Sequence, residues 1–276
     1  MYMKSIKIKD ILVAVDLDGT LLRDDKSIDQ ETIDAIHQYQ KNGLRFTFVT
    51  SRPFEAVKKY IDMLSINIPV IVSSGAMLAT KERVVYCDHI DNKLKNEVLK
   101  KFDINDVFFH CKEGLVITSK NRRHIRYKEE CGIFYNPLDT YVADLANMKC
   151  CQISILNNDF IDNLWKVREL NRRYSFKYMT TSDNVIVLFN EGNDKGAGVD
   201  RLAKLLGIKS ENVIVFGVDY NDLSMFERFE NSVAMGNADD SIKTRAKYLT
   251  YSNEENGVIK AIEKESSAHR VDKFTQ

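Results

Sequence analysis

The sequence predicts an α/β fold: a doubly wound, mainly parallel, Rossmann-like core sheet with an inserted α/β domain. Three observations predict it. Ile11–Val15, Pro69–Val72 and Val213–Phe216 are apolar runs without a polar break, the pattern of strands buried on both faces of a parallel sheet. These runs alternate with amphipathic stretches at βαβ spacing. The rhythm then changes over residues 81–186, where short strand-like runs mix with helical ones. The reading is therefore a core of 1–80 and 187–276 with an inserted domain of 81–186.

Each element has its own signal. Ile11–Val15 is the first strand. Ser27–Asn42 reads as a helix, with Asp29 as N-cap, a stripe of Ile33, Ile36 and Tyr39, and a stop at Gly43. Leu44–Val49 is the second strand. Pro53 suits a first helical turn, and Ala56, Val57, Tyr60, Ile61 and Leu64 give that helix a buried face. Pro69–Val72 is the third strand. Within the insertion, Arg83–Tyr86, Val107–His110, Leu115–Thr118, Gln152–Leu156 and Phe176–Met179 read as strands. Asn92–Phe102 and Phe160–Tyr174 read as helices, the second with Trp165 turned to the core. The first rhythm is expected to resume at Val185–Phe189. Helix Ala197–Leu206, strand Val213–Phe216, strand Asn231–Met235 and helices Ser241–Ala246 and Gly257–Glu263 follow, and residues 264–276 read as a frayed polar tail.

Composition narrows the function classes. The chain has 276 residues, 44% apolar and 29% charged, with 40 basic and 40 acidic side chains. A neutral balance favours neither nucleic acid nor an anionic membrane as partner. No apolar stretch approaches the ~20 residues that span a bilayer, and residues 1–10 lack the apolar core of a signal peptide. The five cysteines (87, 111, 131, 150 and 151) contain no Cys-x-x-Cys, so reduced thiols in the cytoplasm are expected. His89, His110 and His124 share their stretch, but the spacing fits no usual zinc pattern.

The chemistry gathers at strand ends. Asp16-Leu17-Asp18-Gly19-Thr20-Leu21-Leu22 closes the first strand, and open α/β sheets bind ligands beyond the carboxyl ends of their strands. If the backbone stays extended through Leu17, Asp16 and Asp18 point the same way. One carboxylate can then attack while the other trades a proton with the leaving group. Taken alone, Asp-x-Asp-Gly is equally an ordinary turn. Thr50-Ser51 lies between a strand end and a helix start, where a hydroxyl and free N–H groups seat a phosphate, although a Ser or Thr there is usually only a cap. Lys195 opens a helix against its dipole and so needs a local reason; a solvated surface lysine is the plain alternative. Gly217-Val218-Asp219-Tyr220-Asn221-Asp222 is a second acidic loop at a strand end.

These segments together resemble the haloacid dehalogenase superfamily, in its Cof-type phosphatase branch, over nearly the whole chain. Asp16–Leu22 is similar to the first motif, Thr50 to the second and Lys195 to the third. The runs 232–238 and 252–258 are similar to the Cof-type tail. The resemblance implies Asp16 as nucleophile and Asp18 as general acid/base, with the Asp18 carbonyl on Mg²⁺. It also implies Thr50, Ser51 and Lys195 as phosphate ligands, with Gly19 and Asn221 in support. The inserted domain becomes a cap that closes over the site and selects the substrate. Mg²⁺ prefers hard oxygen ligands, one or two of them carboxylates, and would offset charge between Asp16 and a phosphate.

The fourth motif departs from the pattern: Val218 stands where a metal-binding Asp is usual. Asp219 swings in, Asp222 coordinates directly or through water, or the site is crippled; the favoured outcome is a site using Asp219 or Asp222, since the other motifs are intact. The metal set is then Asp16, Asp18, Asp219 and Asp222. The cap bases Lys120, Arg122, Arg123, Arg126 and Lys128 read as a solvated face rather than a substrate contact. The functional expectation is a Mg²⁺-dependent phosphatase of small phosphorylated metabolites, such as a sugar phosphate, a nucleotide or a phosphorylated cofactor. It is expected as a cytoplasmic monomer or homodimer with no nucleic-acid or membrane partner. A phosphomutase is the enzymatic alternative, and a catalytically impaired binding or regulatory protein the other. A receiver domain is far shorter, and no Gly-x-Gly-x-x-Gly follows the first strand for a dinucleotide.

Overall fold

A computed structural model describes residues 8–116, 145, 147–156, 160–180 and 185–263. The bases at 120, 122, 123, 126 and 128, His124, Cys131, residues 1–7 and the tail 264–276 lie outside the described residues.

In chain order the elements are β1 (Leu12–Asp16), α1 (Gln30–Lys41), β2 (Arg45–Val49), α2 (Lys58–Met63), β3 (Val70–Val72), β4 (Met77–Ala79) and β5 (Val84–Cys87). Next come α3 (Asn92–Lys101), β6 (Val107–Cys111), β7 (Gly114–Val116), β8 (Cys150–Ile155), α4 (Phe160–Asn171), β9 (Lys177–Thr180) and β10 (Ile186–Phe189). The chain continues through α5 (Lys195–Leu205), β11 (Val213–Gly217), α6 (Leu223–Arg228), β12 (Asn231–Ala234), α7 (Asp240–Lys243) and β13 (Tyr248–Leu249), and a last helix covers 257–263. One sheet has the strand order β13-β12-β11-β1-β2-β3-β4-β5 and the other β7-β6-β8-β10-β9. The contacts divide the chain into two compact units. One comprises Met1–Thr50, Tyr60–Ile71 and Lys195–Gln276, and the other Ser51–Lys59 and Val72–Asp194.

In the first unit β1 is buried at all five positions and pairs in parallel with β2 and β11, Ala14 facing Thr47 on one side and Val215 on the other. That central place explains the unbroken apolar run, since no face of β1 meets water. The side chain of Asp29 caps α1 by accepting from the Thr32 N–H at 2.7 Å, and Gly43, at φ +98°, ends the turn that follows. Tyr60, Ile61 and Leu64 are buried as their spacing predicts. Pro53 precedes a 3₁₀ turn (Phe54–Val57) rather than opening an α-helix, which starts only at Lys58.

The second unit holds the antiparallel sheet. Its core joins Leu94 and Val98 of α3, Val167 and Leu170 of α4, and Ile153, Ile186 and Leu188 of the strands. Three sequence readings are corrected here. Ile186–Phe189 does not resume the first sheet but pairs antiparallel with β8 and β9. All four of its residues are buried, and a fully buried run carries no period to reveal its sheet or direction. The strand expected over Arg83–Tyr86 runs instead over Val84–Cys87, antiparallel to β4. Trp165 is 60% exposed rather than core. It shares an outward face of α4 with Ile161 four residues earlier, while Val167 and Leu170 face inward. Among the described residues no helix is long and apolar enough to cross a membrane.

Candidate active site

The site is built at the carboxyl end of β1. Asp16 is the last residue of that strand and 4% exposed. The chain then folds back, with the Leu22 N–H donating to the Leu17 carbonyl at 2.8 Å and the Leu21 N–H to the Asp16 carbonyl at 3.2 Å. Gly19 sits at φ +73°, a conformation that favours glycine. The turn brings the Thr20 hydroxyl onto Asp16 Oδ2 at 3.0 Å. Asp18 is half-exposed, and its Oδ1 lies 3.2 Å from Lys26 Nζ.

Lys195 reaches Asp16 from the first residue of α5, two residues earlier than the expected helix start. Its ammonium donates to Asp16 Oδ1 at 2.6 Å, Asp222 Oδ1 at 2.6 Å and Asn221 Oδ1 at 2.9 Å. Three protons thus meet three acceptors in a site where the lysine is 3% exposed. The two anions supply the local reason for a cation at a helix N-terminus. Its neighbour Gly196 lets α5 approach α6 closely: a Cβ there would lie 2.2 Å from the Ser224 carbonyl oxygen.

The acidic loop after β11 folds onto the same ammonium. Asp222 is fully buried, and its Oδ2 accepts from the N–H groups of Val218 and Asp219 at 2.8 and 3.0 Å. Gly217 makes room for it, since a Cβ there would lie 2.4 Å from the Asp222 Cβ. Asp219 is exposed and caps the 3₁₀ turn Tyr220–Asp222, its Oδ1 accepting from the Tyr220 N–H at 2.6 Å. The Val218 side chain turns to the first loop, its Cγ1 3.4 Å from where a Cβ on Gly19 would be.

Asp16, Asp18, Gly19, Lys195, Asn221 and Asp222 therefore form one neighbourhood. Thr50 ends up buried just beyond β2, its amide donating to the Ile71 carbonyl at 2.9 Å, so that N–H is already engaged. Ser51 belongs to the other unit, where its carbonyl faces Gln152 Nε2 at 3.4 Å. That unit has a buried polar cluster of its own: Ser73 Oγ lies 3.1 Å from His110 Nδ1, and Ser154 Oγ 3.3 Å from His110 Nε2. Burial pushes His110 down to about 3, which keeps the ring neutral.

Two asparagines that the residue-by-residue reading passed over hold the first loop. Asn237 Nδ2 donates to the Gly19 carbonyl at 2.9 Å, and Asn253 Nδ2 to the Leu22 carbonyl at 3.0 Å. Asn237 Oδ1 in turn accepts from the Asn253 N–H at 3.2 Å. Their only sequence signal was membership of the 232–238 and 252–258 runs, which carried no assigned role.

Burial, and then the charge of Asp222, raise the Asp16 carboxyl to about 7, against the pull of Lys195. Burial alone would lower Lys195, but Asp16 and Asp222 outweigh it and raise the ammonium instead. Two buried carboxylates share one cation, and the excess negative charge suits a hard divalent cation. The Asp16 carboxylate and the Asp18 backbone carbonyl are the oxygen donors suited to hold it, which leaves the Asp18 carboxylate to carry a proton. Asp222 already accepts three protons, and the Asp219 carboxylate is engaged in capping. Among the described residues no group of three or more His, Cys, Asp or Glu is gathered as a metal cage. Chemically, the arrangement offers a buried nucleophilic carboxylate held by a lysine and a hydroxyl, with a half-exposed carboxylate beside it as proton carrier.

A haloacid dehalogenase-like hydrolase family model matches residues 13–262. A 5-amino-6-(5-phospho-D-ribitylamino)uracil phosphatase, YitU of Bacillus subtilis (strain 168), is 25% identical over 272 residues, covering 91% of this chain and 96% of its own. The stress response protein YhaX of the same organism is 29% identical over 263 residues, covering 90% of each chain. The crystal structure of TM0651 from Thermotoga maritima superposes with a TM-score of 0.80 at 21% identity, covering 92% of this chain and 97% of the other.

Proposed function

Because the chain belongs to the haloacid dehalogenase-like hydrolases and is a phosphatase, we propose that it hydrolyses small phosphorylated metabolites through an aspartyl-phosphate on Asp16. The observation that carries this reading is the Lys195 ammonium, held between Asp16 and Asp222 at 2.6 Å from each in a buried pocket at the end of β1. A carboxylate fixed in this way cannot rotate from its line of attack, and the ammonium offsets charge as an anionic phosphate approaches. The reading follows the Cof-type branch in giving catalysis to the unit that holds Asp16 and Lys195, and substrate selection to the other.

Asp16 attacks phosphorus, a new O–P bond forms and the ester O–P bond breaks. Asp18 gives its proton to the departing alkoxide, which would otherwise be a poor leaving group. It then takes a proton from the water that cleaves the aspartyl-phosphate. Its half-exposed place supports this exchange with solvent. Lys195 holds Asp16, and Asp222 holds Lys195. When bound by Asp16 and Asp18, Mg²⁺ supplies electrostatic stabilisation of the transferring phosphoryl group. Thr50, buried just beyond β2 in the same unit, is assigned to the phosphate. The name of YitU supports a phosphorylated ribitylaminouracil among the candidate substrates.

The test is phosphate release from an aryl phosphate with and without Mg²⁺, with Asp16→Asn as the blank. Turnover that needs both Mg²⁺ and Asp16 is the expected result. Turnover that survives Asp16→Asn overturns the assignment. The valine packed on Gly19 favours one second reading, a catalytically impaired binding member. That reading predicts that the parent chain is silent on natural phosphate esters while Val218→Asp turns them over.

A further inference from the structure

Four of the five cysteines are described, and they do not stand in equivalent places. Cys87 Sγ lies 3.3 Å from His89 Nδ1. Cys151 Sγ donates to the His110 carbonyl at 3.3 Å, and its thiol also interacts with that of Cys87. Cys111 and Cys150 face each other across the antiparallel strands β6 and β8, are 3% and 1% exposed, and bring their Sγ atoms within 2.6 Å. The register of β6 and β8 shifts between His110 and Cys111, which leaves Cys151 as the extra residue beside the pair.

The ladder shows what kind of pair this is. On the next rung the Lys112 N–H donates to the Lys149 carbonyl at 3.0 Å, and the Cys150 carbonyl accepts from the Ile90 N–H at 2.7 Å, on the side away from β6. Cys111 and Cys150 therefore occupy a non-hydrogen-bonded position, where opposed Cα atoms come to about 4.5 Å and side chains are closest. That spacing falls within the Cα separation a disulfide spans, roughly 4.4–6.8 Å.

We propose that Cys111 and Cys150 are a redox modification site that closes to an intramolecular disulfide under a hydroperoxide oxidant. One thiol loses its proton as its sulfur attacks a peroxide oxygen; the O–O bond breaks, the released hydroxide takes up that proton and leaves as water, and a sulfenic acid remains. The facing thiol then attacks that sulfur, the S–S bond forms, the S–O bond breaks, and the departing hydroxide takes the second thiol's proton and leaves as water. Two thiols lose two electrons and the peroxide is reduced to two waters. The bond ties together the two ends of segment 112–149, so it removes chain freedom from the unfolded state.

The test treats the full chain with hydrogen peroxide, unfolds it in an alkylating agent and maps the peptides by mass. The expected result is a cross-linked peptide pair containing Cys111 and Cys150, lighter by two hydrogens than the reduced pair. The pair should reopen with dithiothreitol, and the oxidised protein should melt several degrees higher than the reduced one. Peroxide treatment that leaves Cys111 and Cys150 alkylated as free thiols, or that pairs either with another cysteine, overturns the proposal. Because the map is read on the unaltered chain, it does not depend on variants folding. Cys111→Ser supplies the control, in which the cross-link and the melting shift are both lost.

Discussion

Replacing Val218 by aspartate probes the feature that sets this site apart. The valine N–H bond to Asp222 Oδ2, 2.8 Å long, is made by the backbone and survives the change. Val and Asp are close in shape, so the new carboxylate takes the place of the methyls that lie against Gly19. It then joins Asp16 and Asp18 around one loop. At a separation of about 5 Å and an effective dielectric of about 20, two unit charges interact by about 3 kcal/mol. Val218 is only half-buried, so screening cuts this to roughly 1–2 kcal/mol. Without metal the variant should be less stable than the parent by that amount at neutral pH. With a divalent cation the sign reverses, and the Mg²⁺ concentration for half-maximal rate should fall at least tenfold, equivalent to about 1.4 kcal/mol. The assays are phosphate release from an aryl phosphate across a Mg²⁺ titration, and thermal melting in EDTA and in Mg²⁺. If the Mg²⁺ dependence and the metal-free melting are both unchanged, position 218 does not face the cation and the reasoning fails.

Three further perturbations test the pocket from other sides. The Asp16 carboxyl is raised to about 7 in the folded chain, so folding favours its protonated form. Its contribution to stability is therefore lost as pH rises from about 4 through 7. Metal-free Asp16→Asn leaves Lys195 paired with Asp222, and should be more stable than the parent by on the order of a few kcal/mol at pH 8, with the gap closing towards pH 4; urea unfolding at several pH values reads this. Lys195→Met strands two buried carboxylates, and should cost about 3–5 kcal/mol at neutral pH and lower kcat more than about a hundredfold, as denaturant midpoints and steady-state rates would show. Gly217→Ala puts a Cβ 2.4 Å from the Asp222 Cβ. It should lower stability by about 1–3 kcal/mol and kcat at least about tenfold with unchanged circular dichroism. Gly192→Ala, with nothing within 4 Å of its new Cβ, should change neither.

The sequence made the first sheet legible where burial forced a plain signal. β1 shows an unbroken apolar run because it lies between β2 and β11, and Asp29, Ile36 and Gly43 mark α1 through cap, stripe and stop. The same rule misled at Ile186–Phe189, because burial on both faces erases the period whether neighbours run parallel or antiparallel. Trp165 was misplaced for a different reason: Ile161 and Trp165 form a helical stripe that points to solvent, and a stripe does not say which side is wet. In the site, Asp16 and Asp18 were legible because two acids and a glycine close a buried strand. Lys195 was legible only in company, as its two anionic partners, Asp16 and Asp222, lie far along the chain on either side. Asn237 and Asn253 were legible only as members of the 232–238 and 252–258 runs, since a side chain that holds a distant backbone carbonyl leaves no local pattern.

The same geometry gives Val218 a physical consequence rather than a mere defect. Among the described residues Lys195 is the cation paired with both Asp16 and Asp222, and burial, then the charge of Asp222, raise the Asp16 carboxyl against its pull. A further carboxylate facing Gly19 would tighten a bound cation and, by the same Coulomb interaction, destabilise the metal-free fold. Valine gives up that affinity and spares the apo chain the repulsion. The two effects share one origin and must move together, so no substitution at 218 that acts only through charge should raise cation affinity while leaving metal-free stability unchanged. Comparing Val218→Asp with Val218→Asn separates charge from shape: the asparagine should recover little of the Mg²⁺ affinity and cost little stability. A full gain of affinity from asparagine would show that the site lacks an oxygen donor rather than a charge.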